Sequence, residues 1–120
     1  MVTETKPALK NLSKGERTAV LDFLAQVHST YGGQIQRAML FGSKARGERT
    51  ADSDIDILLI VADENWQFKD EICNASSDIS LKDDVLLDVR VIGAARWQYM
   101  SEIRAGLYQN ISSEAIPLAI

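Results

Sequence analysis

Two periods of apolar and polar residues alternate along this chain, and the points where the period changes mark out its elements. Over residues 13–29 apolar side chains recur at helical spacing, with Val20, Leu21, Leu24 and Val27 as the stripe. Ser13 followed three residues later by Glu16 has the form of a capping box, and Tyr31-Gly32-Gly33 closes the run. Residues 36–41 read as a strand leading into a Gly-Ser turn, after which Ser-Lys-Ala-Arg predicts a short helix over 43–47. A nearly unbroken apolar run over 54–61 predicts a second strand, which Asp63-Glu64-Asn65 breaks. A helix over 66–76, a polar loop, a β-branched strand over 85–92 and a last helix over 94–109 complete the order α-β-α-β-α-β-α. That alternation places the chain in the α/β class or its mixed-sheet α+β relatives. The tail, 111–120, is unusually apolar for a free end, so it is expected to cover the sheet or to dock on a partner.

The strand and turn around Gly42 carry the candidate chemistry. Gly42 permits a backbone conformation or a close ligand approach that a β-carbon would forbid, and Ser43 adds a hydroxyl and an N–H. If 43–47 open a helix, their free N–H groups suit an anion. Asp54 and Asp56 stand two apart on a strand, so both leave the same face, roughly 7 Å apart. Two such carboxylates repel one another unless cations lie beside them. Magnesium accepts one or two carboxylates together with waters and substrate phosphates, and a pair of ions about 3.5–4 Å apart would serve in-line displacement at a triphosphate. Asp88, sharing a strand face with Arg90 and opposite Leu87, Val89 and Val91, is the best third acid.

These residues resemble the minimal nucleotidyltransferases of the DNA polymerase β superfamily. Their signature is Gly-Ser, ten residues, then Asp-x-Asp, with a further acid on a later strand. Here Gly42-Ser43, the interval 44–53, Asp54-Ile55-Asp56 and Asp88 match it throughout. Four specified positions at fixed spacing arise by chance on the order of once per thousand chains of this length. The resemblance implies a small mixed β-sheet flanked by helices, with Gly42, Ser43 and Arg46 on the nucleotide and Asp54, Asp56 and Asp88 on Mg²⁺. A free-standing domain of this size is most similar to the MntA-type antitoxins encoded beside a HEPN-domain RNase toxin. That likeness implies AMP transfer from ATP to a tyrosine of the toxin. Two other readings stay open: an antitoxin that neutralises by binding alone, and a transferase with a small-molecule acceptor.

Composition narrows the setting. A chain of 120 residues, 46% hydrophobic and 25% charged, fits one compact domain over 1–120. Its net charge of −4 speaks against general nucleic-acid binding, which needs clustered cations. Lys44, Arg46 and Arg49 make only a local basic patch, and Arg49 and Arg90 are weaker phosphate candidates than Arg46. One cysteine, Cys73, excludes an internal disulfide, and with no apolar run of membrane length the chain is expected to be cytoplasmic. His28 has no second His or Cys to make a metal site. Trp66, Trp97, Tyr99 and Tyr108 read as core or interface residues, and Asp63-Glu64 and Asp83-Asp84 as solvated loop acids.

Overall fold

The structure is a computed structural model and describes residues 11–47 and 54–118. Helix α1 (Lys14–Tyr31) begins with both halves of the expected capping box: the Glu16 N–H donates to Ser13 Oγ at 3.2 Å, and the Ser13 N–H donates to Glu16 Oε1 at 2.8 Å. Its buried face consists of Ala19, Val20, Phe23, Leu24 and Val27. Leu21, counted in the predicted stripe, is exposed, because a step of one residue turns it about 100° away from Val20. A single 3₁₀ turn (Gly32–Gln34) leads to β1 (Ile35–Phe41), then to α2 (Ser43–Arg46) and β2 (Ile55–Val61).

Helix α3 spans Trp66–Asp83, seven residues beyond the predicted end. Ser76 and Ile79 continue the buried stripe begun by Phe68, Ile72 and Ala75, and Asp84, at φ 55°, ends the helix in the left-handed region. The polar residues after Ser76 are therefore helix surface rather than loop. Strand β3 covers Leu87–Gly93. The predicted final helix is two, α4 (Ala94–Glu102) and α5 (Gly106–Glu114), separated where Arg104 takes φ 53°. The apolar tail then adds a short strand, β4 (Ile116–Leu118), to the sheet.

The four strands lie in the order β3-β2-β1-β4. Strands β1 and β2 pair antiparallel, β2 and β3 parallel, and β1 and β4 antiparallel, so the sheet is mixed as expected. Central β2 is apolar on both faces because both are covered. Ile55, Ile57, Leu59 and Val61 meet α1 and α3 in the main core, while Leu58 and Ile60 join Met39, Phe41, Ile92 and Ile111 in a smaller cluster under α4 and α5. Trp97 packs on that cluster and meets Tyr108 with ring centroids 4.8 Å apart. Trp66 and Tyr99 do not fill a core; both are exposed. No helix among the described residues is long and apolar enough to cross a membrane.

Glu64, expected to be a solvated loop acid, clasps the junction of β3 and α4. It accepts the Gly93 N–H at 2.7 Å, Arg96 Nε at 3.0 Å and Lys69 Nζ at 3.0 Å. A β-carbon on Gly93 would lie 2.9 Å from Glu64 Cβ, so the clasp also requires this glycine. Burial works against ionisation of Glu64, but the Gly93 N–H and the two cations prevail and hold its pKa at about 2. Glu64→Ala is expected to cost about 1–3 kcal/mol at pH 7, since it leaves the Gly93 N–H and two cations without their acceptor. The carboxylate's folded pKa lies below its unfolded one, so its contribution is full above about pH 4.5 and is lost as pH falls toward 2. Urea unfolding of both proteins at pH 7 and pH 3 should show the gap between them narrow.

Candidate active site

One end of the sheet gathers the residues singled out in the sequence. Strand β1 finishes there and β2 and β3 start there, so Gly42, Asp56 and Asp88 come together from three strands. The register sets Asp56 beside Phe41 on one side and beside Asp88 on the other. Adjacent strands lie about 4.8 Å apart, so the Asp56 and Asp88 side chains leave the sheet as neighbours on one face. Asp54, exposed just before β2, joins them at the rim. The smaller apolar cluster covers Leu58, Ile60 and Ile92 farther along this face, and the carboxylate end stays open.

The electrostatics follow from that crowding. Burial, then the charge of Asp88 and a hydrogen bond with it, then Asp54, push Asp56 up to about 6, while Arg90 pulls in the opposite direction. A cation beside Asp56 would relieve that repulsion. Among the described residues no group of three His, Cys, Asp or Glu side chains is placed to hold a metal ion by itself. What the chain offers is an open set of hard oxygen donors. Such a set fits magnesium, which fills its remaining positions with water and phosphate oxygens, better than a metal that needs four protein ligands.

Gly42 locks the turn to the acids. It sits at φ 78°, ψ −160°, and a β-carbon on it would collide with Asp56 Oδ2. The Gly42 carbonyl accepts from the Ala45 and Arg46 N–H groups at 3.1 and 3.2 Å, starting the single-turn helix α2 at Ser43. Gly47, left-handed at φ 82°, ends it.

Lys44 and Arg46 of this turn each meet a carboxylate. Lys44, expected to be an ordinary surface charge, is buried and pairs with Glu16 Oε2 at 2.7 Å. Glu16 thus ties the start of α1 to the Gly-Ser turn as well as capping its own helix. Arg46 donates to Glu114 Oε2 at 2.7 Å, while Glu114 Oε1 accepts the Gly42 N–H at 3.0 Å. Glu114, at the end of α5, is a site residue that the sequence does not single out. Nothing local marks it, because it reaches the turn only through the packing of α5 and β4. Arg49 lies outside the described residues, as does most of the interval between Ser43 and Asp54.

A family described as "Polymerase beta, Nucleotidyltransferase" matches residues 24–106. Two proteins of Methanocaldococcus jannaschii are similar in sequence. The one named "Putative protein adenylyltransferase MJ0604" is 43% identical over 58 residues, 48% of this chain and 57% of that protein. The one named "Putative protein adenylyltransferase MJ0141" is 32% identical over 69 residues, 57% of this chain and 70% of that protein. The aligned part of this chain thus spans little more than half the length of the first of these relatives. In fold, the chain is similar to a toxin–antitoxin crystal structure with AMP-PNP, at a TM-score of 0.54 and 21% identity, covering 82% of this chain and 71% of that one. A crystal structure of a mutant toxin–antitoxin MntA-HpeT is similar at a TM-score of 0.51 and 21% identity, with the same coverage.

Proposed function

From the premise that this chain belongs to the polymerase beta nucleotidyltransferase family, we propose that it transfers AMP from ATP to a hydroxyl of a partner protein. The acceptor in this reading is a tyrosine of a HEPN-type RNase toxin, and the modification silences the toxin. The observation that supports it most is the register that puts Asp56 beside Asp88, with Gly42 packed against Asp56. The names of the two M. jannaschii relatives favour a protein as acceptor. The toxin–antitoxin structures of like fold suggest which kind of protein.

In this mechanism Gly42 and Ser43 hold the triphosphate, and Asp54 and Asp56, with Asp88, are the residues that would hold Mg²⁺. Magnesium there supplies charge neutralisation of the phosphates and a lowered pKa for the attacking hydroxyl. The acceptor oxygen forms its bond to the α-phosphorus as the bond from that phosphorus to the bridging oxygen breaks. Pyrophosphate leaves, and the hydroxyl proton passes to Asp88. The chain's own contribution is orientation and a pre-set field rather than covalent chemistry.

Incubation of the chain with ATP, Mg²⁺ and the toxin encoded beside it tests this reading by mass spectrometry of the toxin. One AMP on a tyrosine, or several, is the expected result, and Asp54→Asn with Asp56→Asn should leave the toxin unmodified and active. Protection that survives in the double variant, with no mass added, would replace catalysis by simple binding.

Glu114 has a role that can be measured separately. Its carboxylate occupies the Gly42 N–H and the Arg46 guanidinium, the groups assigned to the nucleotide turn. Glu114→Gln keeps an acceptor for the N–H and removes the competing charge. AMP-PNP affinity is expected to rise about three- to tenfold, on the order of 1 kcal/mol, in calorimetric titration. An unchanged Kd would mean that the contact does not compete with the nucleotide.

A further inference from the structure

The two edges of the sheet are treated differently. Strand β4 is only three residues long and carries Pro117, which cannot donate to a further strand, so that edge is blunted. Among the described residues, strand β3 forms the other edge over seven residues and pairs with β2 alone. The Ile55 N–H donates to the Leu86 carbonyl, which fixes the phase of the parallel ladder. Even-numbered residues of β3 turn their backbone groups toward β2, and Leu87, Val89, Val91 and Gly93 turn theirs outward.

Side chains cap both ends of that outward row. Ser80 Oγ accepts the Leu87 N–H at 3.1 Å and Glu64 Oε1 accepts the Gly93 N–H at 2.7 Å. Among the described residues no side chain caps Val89 or Val91 between them. The same stretch, residues 89–92, forms the floor of a groove of about 270 Å³. Lys69 and Cys73 of α3 line one wall, and Arg96 and Leu107 line the other. Arg90, two residues along the same face of β3 from Asp88, also lines the groove.

We infer that the middle of β3 is a docking edge for an extended, acidic segment of a partner protein, which adds as a fifth strand opposite Val89 and Val91. An added strand would send alternate side chains to the two walls, so acidic residues on it would meet Lys69 on one side and Arg90 and Arg96 on the other. Glu64 is shared between Lys69 and Arg96, so its single charge leaves this pair with one excess positive charge in a chain whose net charge is −4, and Arg90 adds a cation that also faces Asp56. A second copy paired symmetrically about residue 90 would set Arg90 against Arg90 across the new pair, which costs stability. Asp88 immediately precedes this window. On the transfer reading proposed above, the docked segment is the one that carries the acceptor hydroxyl.

The test uses the whole chain with two probe peptides. One is the end-blocked heptapeptide Glu-Glu-Val-Tyr-Val-Glu-Glu, which presents glutamate on both faces of a strand around a central tyrosine, and the other has lysine in place of glutamate. The glutamate peptide is expected to slow amide exchange at Val89 and Val91 at least tenfold and to bind at least tenfold more tightly than the lysine peptide. Val89→Pro removes one outward N–H without breaking a ladder bond and should abolish this binding while AMP-PNP binding persists. Unchanged exchange at saturating glutamate peptide, or equal affinity for both peptides, overturns the inference. Protection that grows with protein concentration in the absence of peptide overturns it in favour of self-association. Loss of AMP-PNP binding by the unaltered chain would instead sink the transfer reading, and the exchange result at Val89 and Val91 would still decide the docking edge.

Discussion

Asp56→Asn is expected to abolish AMP transfer and, in the same protein, to raise the melting temperature of the chain without nucleotide. Asp56 is half-buried against Asp88 and near Asp54, and its pKa is pushed up to about 6. A carboxyl group whose folded pKa exceeds its unfolded one binds its proton more tightly when folded. Stability therefore falls as pH rises from about 4 to about 6 and stays reduced above that. Asparagine removes the repulsion. Because the group is half-exposed, solvent screening reduces the gain to about 1 kcal/mol, or about 3–5 °C in Tm at pH 7.5. At pH 4, where Asp56 keeps its proton, wild type and variant should melt together. Mg²⁺ with AMP-PNP should stabilise the wild type and leave the variant unmoved. A variant that melts no higher than wild type at pH 7.5 would show that Asp56 is not held under strain. Stability given up at a site in exchange for chemistry is a recurrent trade in enzymes.

Gly42→Ala is expected to damage both fold and activity. At φ 78° an alanine is strained, and its methyl would occupy the place of Asp56 Oδ2. The strain alone is worth about 1 kcal/mol, and moving either the turn or the carboxylate brings the loss to about 2–3 kcal/mol. Transfer should drop at least ~100-fold, the usual consequence of displacing a reacting group by about 1 Å. Thermal melting and initial rates with saturating ATP and Mg²⁺ measure the two effects. A rate within threefold of wild type would show that the turn and the acid are not coupled through this contact. Gly93→Ala makes a useful comparison, because its β-carbon meets Glu64 at the far end of the strand. It should reduce stability with much less effect on rate.

Local patterns account for a large part of the molecule. Ser13 and Glu16 cap α1 as their spacing implies, because both halves of that motif lie within one turn. Asp56 and Asp88 share a face of the sheet, and Asp88 stands opposite Leu87 and Val89, because side chains on any strand alternate. The Gly-Ser turn with its acids was legible because the fold needs those residue types at fixed separation along one segment. The parts misread were those in which packing overrides local polarity. Helix α3 continues through Ser77 and Asp78 because Ile79 still faces the core, and the last helix breaks at Arg104 so that the chain can return to the sheet.

The sequence by itself determined which residues could do chemistry and in which elements they stand, since period and spacing are properties of one stretch of chain. Only the tertiary structure decided their company. It placed Asp56 beside Asp88, buried Lys44 on Glu16, and brought Glu114 to a turn 72 residues away. It also made β3 an edge and closed the opposite side with β4. Contacts of that kind depend on which faces the core has already claimed, and helical or strand periodicity holds no information about what lies across the gap.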